Sequence, residues 1–212
     1  MKHMTKILIV MVLVLSILGQ ASPARAGGGL GFKFNGPSAI ASFFNASGCI
    51  NTDVFVIASE ARTNDAPGRP TALSFASVTI FQQDACTGTV LLSAYGTTNP
   101  LPESALTVSK DLGSASLKTT VNLFDEVSVS NFDVYIDLAW ASTGPLNREK
   151  FTDHVKTPGC IINSHYLGKS RPAVAVGTVS DGLVNFTPSA SVKGTSLSSV
   201  KSGTVTIGCE AG

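Results

Sequence analysis

Two carboxylates in a short alternating segment are the residues best placed for acid–base chemistry. Asp133 and Asp137 flank Tyr135 and share one side if the segment is a strand. A glycoside hydrolase needs two carboxyl groups about 5 to 10 Å apart, whereas four strand residues span about 13 Å. A hydrolase acting on extracellular polysaccharide would therefore need Asp133 or Asp137 to work with a carboxylate from another strand.

Nucleophilic and metal-dependent catalysis find less support in the sequence. Beyond residue 26 the histidines are His154 and His165, and Ser164, next to His165, would point to the opposite face of a strand. The sequence contains neither a Gly-x-Ser-x-Gly elbow nor an Asp-x-Asp-x-Asp-Gly calcium loop. We therefore assign no catalytic, cofactor-binding or metal-binding residue and expect no cofactor; whether the chain is an enzyme stays open, with a non-enzyme favoured.

The four cysteines indicate disulfides. Cys49, Cys86, Cys160 and Cys209 are at least 37 residues apart, whereas zinc sites normally use closely spaced Cys or His pairs. An exported chain reaches an oxidising compartment, where disulfides are the usual state of paired cysteines. Four cysteines allow three pairings; we favour Cys49–Cys86 with Cys160–Cys209, one bridge in each half of the chain.

A charge-rich segment is the candidate interaction site. Six of the nine residues from 148 to 156 are ionisable, and Gly-Pro and Pro-Gly pairs bound the segment. This composition predicts a long loop, and loops on a rigid sheet often carry binding residues. The candidate interaction residues are Arg148, Lys150, Asp153, His154 and Lys156. The alternative is a connection whose charges only keep it solvated.

The first twenty-six residues resemble a secretory signal peptide. Lys2 and Lys6 precede an apolar run over 7–18, and Ala-Arg-Ala at 24–26 provides a small-x-small cleavage pattern. The run is shorter than the roughly 20 residues of a membrane-spanning helix, so a retained anchor is the weaker alternative. We expect a secreted or extracellular mature protein, with a periplasmic or cell-surface location also open.

The composition and the net charge limit the classes of partner that the chain is expected to bind. The chain is 43% hydrophobic and 14% charged, with a mean hydropathy of +0.27, which excludes a disordered chain. Removing Lys2, Lys6 and Arg25 from the 15 basic side chains leaves 12 against 14 acidic ones, a net charge of −2. Such a balance gives no reason to expect nucleic acid or an anionic membrane as a partner. The expected partner is an unidentified extracellular protein or glycan.

Alternation of apolar and polar residues predicts an all-β fold. The clearest windows are 132–140, 117–123 and 205–209. Further short runs are separated by turn-rich stretches; they are 40–44, 52–59, 73–83, 89–97, 161–166, 174–179 and 183–186. About ten strands without helical periodicity predict an antiparallel β-sandwich, with jelly-roll and immunoglobulin-like arrangements not distinguished.

Beyond the signal peptide, the sequence predicts a single domain preceded by a short glycine-rich segment. Residues 27–38 begin with three glycines and are assigned to a flexible lead-in, followed by a single domain over 39–212. Glycosylation sequons at Asn45 and Asn185 matter only in a eukaryotic secretory route. The sequence thus favours an exported, non-enzymatic binding or surface-interaction domain, with the hydrolase as the alternative.

Overall fold

The described part of the chain folds into one antiparallel sheet of ten strands. The computed structural model describes residues 30–64, 71–157, 160–192 and 194–209. The strands are β1 (Leu30–Ser47), β2 (Ile50–Asn64), β3 (Thr71–Asp84), β4 (Val90–Thr98), β5 (Leu106–Val108), β6 (Ser114–Asp125), β7 (Ser130–Ser142), β8 (Asn147–Thr157), β9 (Cys160–Ser180) and β10 (Ser196–Cys209). The prediction of an antiparallel all-β fold with about ten strands is confirmed. Within the segments described, no helix is long and apolar enough to cross a membrane.

The strand pairings form a closed circuit. Their order is β10-β1-β2-β3-β4-β6-β7-β9-β8, with β5 attached to β6. Strand β10 also pairs with β9, so the hydrogen-bonded path returns to its starting strand. The first and last strands are therefore neighbours, with Leu30 opposite Ile207 and Ile40 opposite Ser196.

The main hydrophobic core receives every second side chain of β6 and β7. Burial alternates along almost all of β6 and along the middle of β7, as the windows 117–123 and 132–140 predict. Trp140 of β7 lies on the buried face, and its indole Nε1 donates a hydrogen bond to the Ile40 carbonyl oxygen at 2.9 Å. Because Ile40 belongs to β1, this bond connects two strands that are not neighbours in the sheet.

Strand β9 pairs with different strands along its two halves. Residues 160–170 pair with β8 and residues 173–180 pair with β7. The strands β7 and β8 therefore lie one after the other along the same edge of β9. On the other edge, β10 pairs with the first half. The irregular segment 185–192 accompanies the second half of β9, where the Ser191 N–H donates to the Ala175 carbonyl at 2.8 Å. The single 21-residue strand β9 thus pairs with β8 and β10 along its first half and with β7 along its second half.

Three predictions of local structure are wrong. Of the lead-in predicted over 27–38, residues 27–29 lie outside the described part of the chain, and residues 30–38 form the first half of β1, paired with β10 and β2. The run 183–186 contributes only an isolated bridge between Asn185 and Ser180. Residues 148–156, predicted as a loop, lie within β8. Charged residues there reflect an edge strand, which natural proteins commonly protect with charge.

The first predicted disulfide is present. The Cys49–Cys86 bridge has a Cα–Cα distance of 5.4 Å and joins the turn after β1 to the turn after β3. For the second predicted pair, the register of β9 and β10 places Cys160 directly opposite Cys209. Opposed residues in antiparallel strands have Cα atoms about 4.5 to 5.5 Å apart, a separation that a disulfide can bridge. The backbone register therefore favours the pairing Cys160–Cys209.

We expect both bridges in protein that is produced under oxidising conditions. Peptide mapping without reduction should recover Cys49 linked to Cys86 and Cys160 linked to Cys209. A parallel digest of reduced protein is the control, because both linked peptides must disappear from it. Recovery of a Cys49–Cys160 peptide, or of unlinked Cys160 and Cys209, would contradict the expected pairing.

Replacement of Trp140 by Phe should destabilise the fold through the indole hydrogen bond. The variant keeps an aromatic ring but removes the donor to the Ile40 carbonyl, so the free energy of unfolding should fall by about 1 to 3 kcal/mol. Urea unfolding measures the change. The control is Tyr135→Phe, because Tyr135 is exposed and its replacement should change stability by less than about 0.5 kcal/mol. Equal stability of the two variants would show that the bond contributes nothing.

Candidate functional site

Strand β8 separates its charges by sign onto opposite faces. Its register with β9 runs without a bulge from Asn147 to Thr157, so alternate side chains share a face. One face carries four exposed basic side chains, here named the basic row: Arg148, Lys150, His154 and Lys156. Glu149 and Asp153 lie on the other face. The structure therefore separates Asp153 from the four residues with which the sequence grouped it.

The basic face of β8 continues onto the neighbouring strands. Arg148 stands opposite Lys169 of β9, whose Nζ donates to the Lys110 carbonyl oxygen at 2.6 Å. Farther across the sheet, His165 of β9 lies in line with Lys33 of β1, with one residue of β10 between them. Among the described residues of β8, β9 and β10, no acidic side chain lies on this face. This face is therefore locally positive although the total charge of the chain is close to zero.

The two histidines of this face are held by cross-strand contacts. His154 Nδ1 lies 2.5 Å from Asn163 Oδ1, and His165 Nδ1 lies 3.2 Å from Thr152 Oγ1. Both contacts join directly opposed residues of β8 and β9. The imidazole rings are therefore oriented by polar groups of the sheet.

The opposite face of β8 and β9 is a packing surface. The Tyr166 ring lies over Gly168, where an added Cβ would approach the Tyr166 hydroxyl oxygen to 2.7 Å. The Phe34 ring likewise covers Gly203, its directly opposed residue. Burial, together with the nearby Glu149 carboxylate, raises the pKa of Tyr166 to about 12. The phenol therefore stays protonated near neutral pH and serves packing.

Strand β8 also forms an edge of the sheet. Within the described part of the chain, its strand partner is β9 alone. An edge strand presents N–H and C=O groups that no neighbouring strand occupies. The eleven residues of β8 thus combine an unpaired backbone edge with the basic row.

The two carboxylates considered for catalysis, Asp133 and Asp137, are paired with neighbouring side chains at the surface. The Asp137 carboxylate lies 2.9 Å from the Lys118 ammonium nitrogen, and Asp133 accepts a hydrogen bond from Asn122 Nδ2 at 2.8 Å. Both pairs are direct cross-strand neighbours on β6 and β7. The hydrogen bond and negative charge of Asp137 raise the pKa of Lys118. Both carboxylates thus have partners within the sheet.

A cluster of potential metal ligands surrounds the disulfide. One ligand atom each from Cys49, Asp84 and Cys86 lies within 4.8 Å of the others. Metals bind cysteine as the thiolate, however, and these two sulfurs are joined to each other. The Asp84 carboxylate accepts the N–H groups of Cys86 and Thr87 at 2.8 and 3.1 Å, which lowers the pKa of Asp84. The cluster is a cross-linked turn.

Asp125 is a buried carboxylate that sequence analysis missed. It is 4% exposed and lies at the turn between β6 and β7. Its oxygens accept hydrogen bonds from the Ser93, Val127 and Ser128 amides and from the Ser128 hydroxyl, at 2.5 to 3.1 Å. Burial opposes ionisation, but these hydrogen bonds outweigh it and lower the pKa of Asp125. Asp125 therefore has a structural role, tying β4 to the turn.

The acid stability of the protein should depend on Asp125. Because the folded pKa is lowered, the ionised carboxylate stabilises the fold above the unfolded pKa of about 3.9, and this contribution is lost as pH falls through the folded pKa. In urea unfolding, Asp125→Asn should be less stable than the wild type above about pH 5. The difference should shrink as the pH falls below about 4. The exposed Glu103→Gln is the control, and a pH-independent difference for Asp125→Asn would contradict this role.

No protein-family model matches the chain, nor does any curated protein or any solved structure. The distinguishing features of the described structure are the basic row and the edge of β8 that no described strand pairs with, and both occur on this one strand.

Proposed function

We propose that this chain is an exported, non-enzymatic binding domain that engages an extracellular protein or glycan through β8. The observation that carries the proposal is the basic row, exposed on an edge strand whose acidic residues face the other way. This arrangement creates a positive surface that attracts an anionic partner. Eleven register pairs with β9 hold β8 in place, so the side chains are presented from a scaffold that is already ordered.

Export is supported by two independent features. The sequence of residues 1–26, which lie outside the described part of the chain, has the pattern of a signal peptide. The Cys49–Cys86 bridge is consistent with an oxidising compartment. Together they support an extracellular or periplasmic location for the mature chain.

The hydrolase alternative receives less support from the structure. General acid–base catalysis needs a carboxyl group that can reach the substrate and exchange a proton with it. Lys118 already engages Asp137 in an ion pair, and Asn122 engages Asp133. These contacts are typical of surface pairing between neighbouring strands.

Removal of the positive charges from β8 should abolish binding without unfolding the protein. The test variant is Arg148→Ser, Lys150→Ser and Lys156→Ser together, because all three side chains are exposed and contribute little to stability. Mature wild type and variant are applied to a glycan array and to an array of extracellular proteins. We expect ligands that the wild type retains and the variant loses by roughly tenfold or more in signal.

A matched control removes three positive charges elsewhere. Lys110→Ser, Lys118→Ser and Lys201→Ser together give the same net charge and should leave array binding unchanged. Equal loss in both triple variants would show that only net charge matters. Absence of any ligand on both arrays, or reproducible turnover by the wild type in a polysaccharide hydrolase panel, would overturn the proposed function.

A further inference from the structure

We infer that β8 binds an extended acidic segment of another protein as an added strand of the sheet, with Asp or Glu at every second position. This inference rests on the proposed function and specifies the chemistry of the partner. It draws on two properties of β8: a backbone edge that no strand of the described residues pairs with, and side chains that are separated by charge onto opposite faces.

The backbone of β8 is suited to strand addition. It is eleven residues long and free of bulges, so its outward N–H and C=O groups form a regular row. Extended peptides bind exposed sheet edges through main-chain hydrogen bonds, while alternate side chains provide specificity. Strand β9 already occupies the inner edge of β8, so an added strand would lie on the outer edge.

The charge pattern selects an acidic partner. Opposed side chains on adjacent strands lie about 4.5 to 5.5 Å apart at Cβ, so acidic residues in period two would face Arg148, Lys150 and Lys156 directly. The intervening partner residues would lie on the side of Glu149 and Phe151, where apolar or basic side chains are compatible. The motif is therefore alternating, with acidic residues on one face only.

The same pattern opposes pairing between two copies of this chain. Antiparallel pairing of two β8 strands centred on Thr152 would place Arg148 of each copy opposite Lys156 of the other. Like charges directly opposed across strands are destabilising, and charged edges prevent edge-to-edge association. A second copy is therefore disfavoured, whereas a strand of opposite charge is accepted.

An acidic polysaccharide differs from an acidic strand in how it would use β8. A polysaccharide could pair with the basic side chains, but it has no backbone amide repeat that matches the unpaired edge. An acidic peptide uses both features. Binding that requires main-chain hydrogen bonds in addition to charge therefore identifies the peptide.

The first experiment measures binding of a synthetic peptide by isothermal titration calorimetry with the mature chain. The probe matches β8 in length and alternates Glu with Thr; a second peptide has the same composition but groups all Glu residues at one end. We expect the alternating peptide to bind at least roughly tenfold more tightly, because only it places acids opposite the whole basic row. Dextran sulfate serves as the polyanion without an amide backbone.

The second experiment tests the main-chain hydrogen bonds. Two versions of the alternating peptide carry N-methyl groups on the amides of either the Glu or the Thr residues. In an added strand only one of these sets faces β8, so one version should keep its affinity and the other should lose roughly tenfold or more. The Arg148→Ser, Lys150→Ser, Lys156→Ser variant should lose binding, while the Lys110→Ser, Lys118→Ser, Lys201→Ser control should keep it.

Each result supports or overturns the inference. Equal binding of the alternating and grouped peptides, comparable binding of dextran sulfate, or equal effects of the two methylation patterns would indicate a general polyanion site and overturn strand addition. Absence of peptide binding would overturn it as well. If array ligands still require the β8 charges in that case, the proposed function survives; if array binding ignores those charges, the proposed function fails whatever the peptides do.

Discussion

Strand β9 must pair with two different sets of neighbouring strands along one continuous backbone, and most of the structure depends on this constraint. Its second half lies beside β7, and its first half lies beside β8. At Gly177, where φ is +132°, a Cβ atom would collide with the Asp137 carbonyl oxygen of β7. Glycine therefore permits the close approach of the two strands. Because β8 pairs with the same strand, its position is linked to that of the core.

The sequence predicted the core strands well because their faces differ in hydropathy. In the windows around Val121 and Ile136, apolar residues alternate with polar ones, and the structure buries the apolar set. Strand β8 was missed because ionisable residues occupy both of its faces, so hydropathy shows no alternation there. The sign of the charge does alternate from Arg148 to Lys150 through Glu149, and that pattern was the available signal.

Other features depend on neighbours that a single sequence does not reveal. Residues 161–166 and 174–179 were predicted as two separate strands, yet β9 continues through the residues between them because β8 and β10 pair with most of those residues. Likewise, the three glycines at 27–29 suggested a flexible lead-in over 27–38, although β10 and β2 order residues 30–38 as part of β1. The ion pair at Asp137 requires the register of β6 and β7. Long-range register is the information that local composition lacks.

The adjacency of β1 and β10 also governs when the chain can fold. The first strand pairs with the last along ten register positions, from Leu30 opposite Ile207 to Ile40 opposite Ser196. These partners are separated by most of the polypeptide, and such nonlocal pairing makes folding slow. During synthesis β1 cannot complete its hydrogen bonds until the final strand has left the ribosome. The closed sheet can therefore form only after β10 has been made, and until then the edge of β1 that faces β10 lacks its strand partner.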